Sequence, residues 1–324
     1  MKIIKMTGLG AAIAATMAFT GAHAQERLTM GATHSASSFY AYQVGIANFL
    51  NNSVDGIDVN VRELGGAEVS TEALLRNEVD MGISVTSSDY AAVQGEAPFR
   101  EPADNLRTLY FFAPLPLNFV VASGSGIETV ADLAGERFNP GGRGTSTEGQ
   151  VDKVFEIIGV SPDLVRAEGS DALDAFQNRQ LVGFVKGGIN PDGYIEQAAS
   201  SRDIRMLSLT DDQRNAVTEA YPFFSSAQTT PDKFYGDSGG SVHTVQTAIG
   251  INTTAALPEQ TAYNIAKAIF SDEGKTAASE VYRPAAGIDA AQLTIDAAVA
   301  PLHVGVVRYL EEEGYTVPDA ITAE

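Results

Sequence analysis

The sequence predicts an α/β protein of two lobes, the first interrupted by the second. Strand-like and helix-like stretches alternate through most of the chain, the pattern of packed strand–loop–helix units. A hydroxyl- or glycine-rich loop between a strand and a helix occurs at Gly31 to Tyr40 and again at Asn139 to Thr147, once in each half. Between them, Ala113-Pro-Leu-Pro-Leu117 reads as a stiff extended crossing. With 324 residues, 44% of them hydrophobic, the chain can bury about two cores. The expected division is lobe 1 over 25–117, lobe 2 over 118–245 and a return to lobe 1 over 246–324.

The first 24 residues have the form of a secretory signal: Lys2 and Lys5, an apolar run from Leu9 to Phe19, and a small-residue ending at Ala22-His-Ala24. Cleavage after Ala24 and export are expected. No later window offers about 20 consecutive apolar residues, so the mature chain is expected to be soluble and to span no membrane. Cysteine is absent, which excludes disulfides, thiolate catalysis and Cys-based metal sites. The formal net charge of -20 argues against nucleic acid or an anionic membrane surface as partner. It does not exclude a small anion, since screening over about 8 to 10 Å leaves local donors in control.

After the first short strand comes Gly31-Ala-Thr-His-Ser-Ala-Ser-Ser-Phe-Tyr40, then a helix with apolar positions at Phe39, Tyr42, Ile46, Phe49 and Leu50. Thr33, Ser35, Ser37, Ser38 and the helical N–H groups can hydrogen-bond an anion at the helix start. The same residues also suit an N-cap and a Ser-rich turn. Ile57 to Leu64 alternates as a strand; Gly65-Gly66 breaks it before a helix near Ser70 to Asn77. Met81, Ile83 and Val85 form the next strand, and Thr86-Ser87-Ser88-Asp89 stands at its carboxyl end, where open α/β sheets line their ligand crevice.

A strand over Leu106 to Phe112 is expected to end at the proline-rich crossing, with Asn118 to Ala122 as a new strand. Val130 to Leu133 reads as a short helix ended near Gly135. In the second lobe Asn139-Pro-Gly-Gly-Arg-Gly-Thr-Ser-Thr147 precedes a helix carrying Val151, Val154, Phe155 and Ile158. It lacks both the G-x-G-x-x-G and the Gly-Lys-Ser/Thr signatures, yet can form an anion nest. A helix at Ala172 to Phe176, a buried strand at Leu181 to Val185 and a helix beyond Pro191 follow; Lys186, at the strand end beside two glycines, is either a carboxylate partner or a solvated lysine. A strand over Ile204 to Leu209, a helix through Ala220, an aromatic connector at Tyr221 to Phe224 and a returning strand at Val245 to Ile251 precede helices at Glu259 to Phe270, Ala290 to Ala298 and Val304 to Glu312.

Two other patterns bear on function. Gly236-Asp-Ser-Gly-Gly240 copies the string around the nucleophile of chymotrypsin-like proteases, and an exported serine hydrolase using Ser238 or another loop serine with His34 is the competing class. Alternating helix and strand does not suit that all-β fold, and a surface turn is the simpler reading. Of the four histidines His23 leaves with the signal, and His34, His243 and His303 show no H-x-x-x-H or H-E-x-x-H spacing, so a catalytic metal is not expected; no other cofactor is expected either. Asn51-Asn-Ser53 and Asn252-Thr-Thr254 fit the glycosylation triplet, which matters only in a eukaryotic secretory route.

The assembled pieces resemble the TAXI-type solute receptors of tripartite (TRAP) transporters. GATHSASSFY stands where members carry G-T-G-G-T-G-G-T-Y-Y, with Gly31, Ser35, Ser38, Phe39 and Tyr40 corresponding; VDMGISVTSSDY from Val79 to Tyr90 is similar to A-D-L-G-I-V-Q-S-D-x-A-Y, with Thr86 at the Ser position and Val85 in place of Gln. NLRTLYFFAPLPLNFVV, with Asn118 where His is frequent, SGIETVADLAGERF, GRGT at Gly142 to Thr145, SDALDAFQNRQLVGFVKGGINPDGYI, YPFF and PLHVGVVRY extend the similarity, in order, over the mature chain. The resemblance implies a two-lobed periplasmic binding protein of type II topology with its ligand cleft between the lobes, not an enzyme, that closes on a small organic anion and delivers it to TRAP membrane permease subunits. Family ligands are glutamate, glutamine or carboxylates such as 2-oxoglutarate. The implied ligand shell is Thr33, Ser35, Ser38, Phe39, Tyr40, Thr86, Ser87 and Asn118 together with Arg143, Gly144, Thr145, Ser146 and Lys186. Arg143 and Lys186 stand where small neutral residues are common, which strengthens the expectation of a carboxylate.

Overall fold

The structure is a computed structural model that describes residues 25–322 apart from 36, 144, 168 and 230–239, and apart from the side chain of Ser38. The signal segment, Gly144 and Ser238 therefore lie outside the described residues.

Alternating apolar residues form β1 (Glu26–Thr33), and Ser37 caps α1 (Ser38–Ser53) by accepting from the Phe39 N–H. β2 (Ile57–Gly65) and α2 (Ala67–Leu75) follow, then the wholly buried β3 (Met81–Val85) and α3 (Thr86–Gln94), closed by Gly95 in the left-handed region. β4 (Leu106–Ala122) leads to the other half, where β5 (Arg137–Asn139), α4 (Ser146–Ile158), β6 (Asp163–Leu164), α5 (Gly169–Gln177), β7 (Gly183–Gly187), α6 (Gly193–Ser201), β8 (Ile204–Leu207), α7 (Asp211–Ala220) and β9 (Ser225–Thr229) succeed one another. β10 (Val242–Thr254) returns the chain, and α8 (Glu259–Phe270), α9 (Asp272–Val281), α10 (Ala290–Ala297) and α11 (Val304–Glu312) cover the first half.

Among the described residues these strands form one curled ten-stranded sheet in the order β2-β1-β3-β10-β4-β7-β5-β6, with β8 on β4 and β9 on β10. β1 pairs in parallel with β2 and β3, whereas β10 runs antiparallel between β3 and β4. The fold is thus α/β and two-lobed, and β4 and β10 belong to both lobes. β4 pairs with β10 through Pro116 and with β7 and β8 from Leu117 onward. The packing changes at the same places: Leu115 and Ile249 enter the core of Leu28, Met30, Ile46 and Ile251, while Leu117 and Val245 enter that of Phe119, Phe138, Val154 and Phe155.

Several expectations need correction. The proline segment is not a break between two strands but the middle of the continuous strand β4, where Pro114 and Pro116 register with Ala248 and Gln246 of β10. Proline is tolerated because the pairing with β7 and β8 starts only at Leu117, so this stretch has a sheet partner on one edge and needs no second set of N–H donors. Helix α2 begins at Ala67, three residues before Ser70, because the turn at Gly65-Gly66 lets the helix start at once. Val130–Leu133 is a 3-10 turn closed by a Thr129–Asp132 capping box. Strand β9 and helix α9 carry no alternation or apolar stripe strong enough to have been read from sequence.

The crossing strands approach closely at one point. At Gly250 a β-carbon would stand 2.2 Å from the Tyr110 carbonyl oxygen and 2.5 Å from Phe111 Cδ1, so only glycine lets β10 lie against β4 there.

Candidate functional site

A cleft of about 430 Å³ lies between the lobes, and both contribute to its walls. The first lobe supplies Thr33, His34, Ser37 and Phe39 after β1, Leu64 to Val69 around the start of α2, and Ile83 and Val85 of β3. The second supplies Arg143, Thr145, Ser146, Thr147 and Gln150 around the start of α4, with Lys186 and Gly187 at the end of β7. Leu115 and Ile249 of the crossing strands form part of the wall. The parallel strands β1, β2 and β3 present their carboxyl ends to it, where short strand-to-helix loops leave the crevice open.

The amino ends of α1, α2 and α4 therefore meet at one cavity. Ser37 Oγ accepts from the Phe39 N–H at 3.2 Å, and Thr145 Oγ1 accepts from the Glu148 N–H while donating to the Gly142 carbonyl. Gly66, at the head of α2, has no side chain with which to cap that helix. Each end leaves N–H groups without an intrahelical partner, and their dipoles add positive potential. Thr33 Oγ1 lines the cleft and is buried with no hydrogen-bond partner among the described residues. Phe39 packs against the core, edge-on to Phe112 at 6.2 Å between ring centroids and tilted to Tyr282 at 5.4 Å.

Arg143 is exposed at the cleft and makes no ion pair among the described residues. Lys186 differs: its Nζ donates to the Gly187 carbonyl at 2.8 Å and lies 3.4 Å from Asp192 Oδ2. Glu68 is the one acidic side chain among the described residues of the wall, and burial, with the charges of Glu72 and Glu148, pushes its pKa upward. Across the cleft, Glu148 pairs with Arg166, which also grips Asp152 at 2.9 Å.

Of the residues expected in a ligand shell, Thr33, Phe39, Arg143, Thr145, Ser146 and Lys186 come together at this cleft. Others are placed elsewhere. Ser35 hydrogen-bonds Glu63, which His34 Nδ1 approaches at 3.3 Å; the Ser35 contacts first, and then His34, hold that carboxyl below its ordinary pKa. Thr86 is buried, donating to the Phe223 carbonyl at 3.2 Å and accepting from the Ala248 N–H, so its hydroxyl ties the first lobe to the crossing region. Ser87 accepts from Gln150 Nε2 at 2.9 Å, a contact between α3 and α4 beside the cleft. Asn118 is fully buried, its amide donating to the carbonyls of Lys186 at 2.9 Å and Gly188 at 2.8 Å, so it fixes the end of β7 that carries Lys186. Tyr40 is not in the wall, while Gly144 and the Ser38 side chain lie outside the described residues.

Ser37, read from sequence as an anion-binding candidate at the helix start, also lines the wall, and so do Glu68 and Gln150, which were not singled out as ligand-shell residues. The available signal for Glu68 was its position: Gly65-Gly66 ends a strand parallel to β1, so the next residues had to open at the same crevice. No cluster of three or more His, Asp or Glu that could hold a metal ion occurs among the described residues, and no helix there is long and apolar enough to cross a membrane.

A model of the NMT1-like family matches residues 30–314, and the chain belongs to that family. Its fold is similar to that of MatC from Rhodopseudomonas palustris, solved with bound malate, at 11% identity over 88% of this chain and 98% of that one, with a TM-score of 0.52. It is similar to a chain from the study of glutathione import via GshT and the cystine ABC importer of Streptococcus mutans, at 12% identity over 82% and 97%, TM-score 0.52. A TctC solute binding protein from Polaromonas, without ligand, matches at 12% identity over 80% and 88%, TM-score 0.51. At these identities the likeness is one of fold.

Proposed function

We propose that this NMT1-like family protein is an exported, non-enzymatic solute receptor that closes its two lobes on a small carboxylate and releases it unchanged to a membrane permease. The observation that carries the reading is the convergence on one cleft walled by both lobes of three helix amino ends and Arg143, which has no ion pair among the described residues. Such a site offers N–H donors on both lobes and an exposed cation on the second, so an anion that touches both lobes favours the closed arrangement by its differential affinity. The carboxylate would sit against the N–H groups at Ser146 and Thr147 and the guanidinium of Arg143, with Thr33 and Ser37 opposite and Phe39 as an apolar floor.

The lobe division expected from sequence, 25–117 with 246–324 against 118–245, suits this mechanism, since the changes of core at Leu115 to Leu117 and Val245 to Ile249 supply a two-strand hinge. The finer reading is a TAXI-type receptor of a TRAP transporter working in the periplasm. It is supported by the ordered motif resemblance and by a fold shared with a malate-bound protein. A thermal-shift screen of amino acids and carboxylates tests the function: a ligand that binds only the folded state raises the unfolding temperature with concentration. No shift with any of them would overturn the reading. Covalent labelling by a fluorophosphonate would instead support the serine hydrolase.

A further inference from the structure

Thr145-Ser-Thr-Glu148 has the S/T-x-x-E form of a capping box, in which the glutamate turns back onto the N–H of the capping residue. Half of the box is made: Thr145 Oγ1 accepts from the Glu148 N–H at 3.2 Å. Closing the other half would lay the Glu148 carboxylate across the helix end where Ser146 and Thr147 line the cleft. Elsewhere in the chain Thr129 with Asp132 and Thr210 with Gln213 do close such boxes. Here the Thr145 N–H goes to the Gly142 carbonyl at 3.2 Å, and the Glu148 carboxylate pairs with Arg166 Nε. The Glu148 side chain is only 14% exposed, and its charge is felt by Glu68 on the opposite wall of the cleft. A ligand anion at the start of α4 would meet that same charge unless it were balanced.

Arg166 balances it from behind the wall. Its Nη2 donates to both oxygens of Asp152 at 2.9 Å while Nε takes Glu148, so one guanidinium serves two successive turns of α4. The backbone on either side of Arg166 is held without these pairs. Asn139, buried at the end of β5, donates to the Val165 carbonyl at 2.9 Å and the Ala167 carbonyl at 2.8 Å, and its Oδ1 accepts from the Gly141 N–H at 2.9 Å. That one side chain therefore fastens the segment of Arg166 to the loop preceding α4, which leaves the arginine side chain an electrostatic task.

We propose that Arg166 is a positioning residue for the ligand: by drawing Glu148 off the Thr145 N–H and offsetting its charge, it keeps the amino end of α4 open to a carboxylate. This inference rests on the solute-receptor reading and adds to it a residue outside the cleft wall that sets how strongly the cleft holds an anion.

Two readouts test it in the mature protein. Carbon-13 NMR titration of the Glu68 carboxyl, its signal assigned by disappearance in Glu68→Gln, reports the potential of the cleft without any ligand. Its midpoint should rise in Arg166→Gln and return in the double variant Arg166→Gln/Glu148→Gln. Calorimetry with the tightest binder among L-glutamate, L-glutamine and 2-oxoglutarate should show affinity falling about three- to tenfold in Arg166→Gln, the effect of one uncompensated charge near the bound anion. The double variant should recover the parent affinity, whereas Asp152→Asn in the same background, one turn further from the helix end, should recover less. A merely structural clamp would lose affinity in the single and double variants alike and leave the Glu68 midpoint in place; that result overturns the assignment. The double variant decides even where Arg166→Gln alone does not fold, since weaker binding than the parent, or failure of the double variant to fold, also overturns it. Should none of the three compounds bind the parent, it is the receptor reading that suffers, and the Glu68 midpoints still decide whether Arg166 sets the charge at the cleft.

Discussion

Replacing Asp89 with asparagine should flatten the dependence of stability on pH. The Asp89 carboxylate is completely buried at the start of α3, accepting from Ser84 Oγ and from Asn252 Nδ2, each at 2.7 Å. No cation pairs with it among the described residues. Dehydration therefore dominates, and despite both hydrogen bonds it raises the pKa from 3.8 to about 7. Below the unfolded value the acid is protonated in both states and does not oppose folding. As pH rises, the unfolded chain ionises first while the folded chain must keep its proton or bury a charge, so stability is lost until the folded value is passed. A separation of about three units, at about 1.36 kcal/mol each, bounds the loss at about 4 kcal/mol. Asparagine keeps the shape: its carbonyl accepts from Asn252 and its amide donates to Ser84. Urea unfolding at intervals between about pH 4 and about pH 8 gives the comparison. Relative to the variant, the parent should lose about 2 to 4 kcal/mol over that interval. Parallel profiles, or a variant less stable than the parent at the alkaline end, would refute the reasoning.

Other perturbations probe the cleft and its hinge. Gly250→Ala should lower the urea midpoint by the equivalent of about 3 kcal/mol or more, because the added carbon meets the Tyr110 carbonyl at 2.2 Å and the central strands cannot separate; an unchanged midpoint would contradict the crossing of β10 and β4. Arg143→Ala should weaken carboxylate binding about tenfold to a hundredfold in calorimetry, and Lys186→Ala should weaken it less, because Lys186 is already engaged by Asp192 and the Gly187 carbonyl. Gln150→Ala removes the 2.9 Å bond to Ser87 that links the lobes beside the cleft, so small-angle scattering of the unliganded protein should show a larger radius of gyration.

The parts of the cleft readable from sequence are those made by local rules. Small residues before a Ser or Thr and then a helical period mark a capped helix start after a strand, and both Ser37 and Thr145 cap as such a pattern requires. Residues that reach the wall through tertiary register left no such mark: Leu115 and Ile249 are apolar members of long strands, and only the lateral position of β10 beside β4 places them there. Polar residues in apolar surroundings proved ambiguous. Asn118 and Thr86 stand out in sequence as Arg143 does, yet their polar groups are used to hold backbone carbonyls of the fold. The Ala113 to Leu117 segment shows the same limit from another side. Proline marks a strand with a free edge, and which edge is free is decided by strands far away in the chain.

The most direct test is a crystal structure of the mature protein grown with the tightest binder from the thermal-shift screen. The account predicts density for that ligand between the lobes, its carboxylate within about 3 Å of the N–H groups opening α4 and of the Arg143 guanidinium. A ligand seated on an outer face, or an interlobe cleft that remains solvent-filled at saturating ligand, would contradict it.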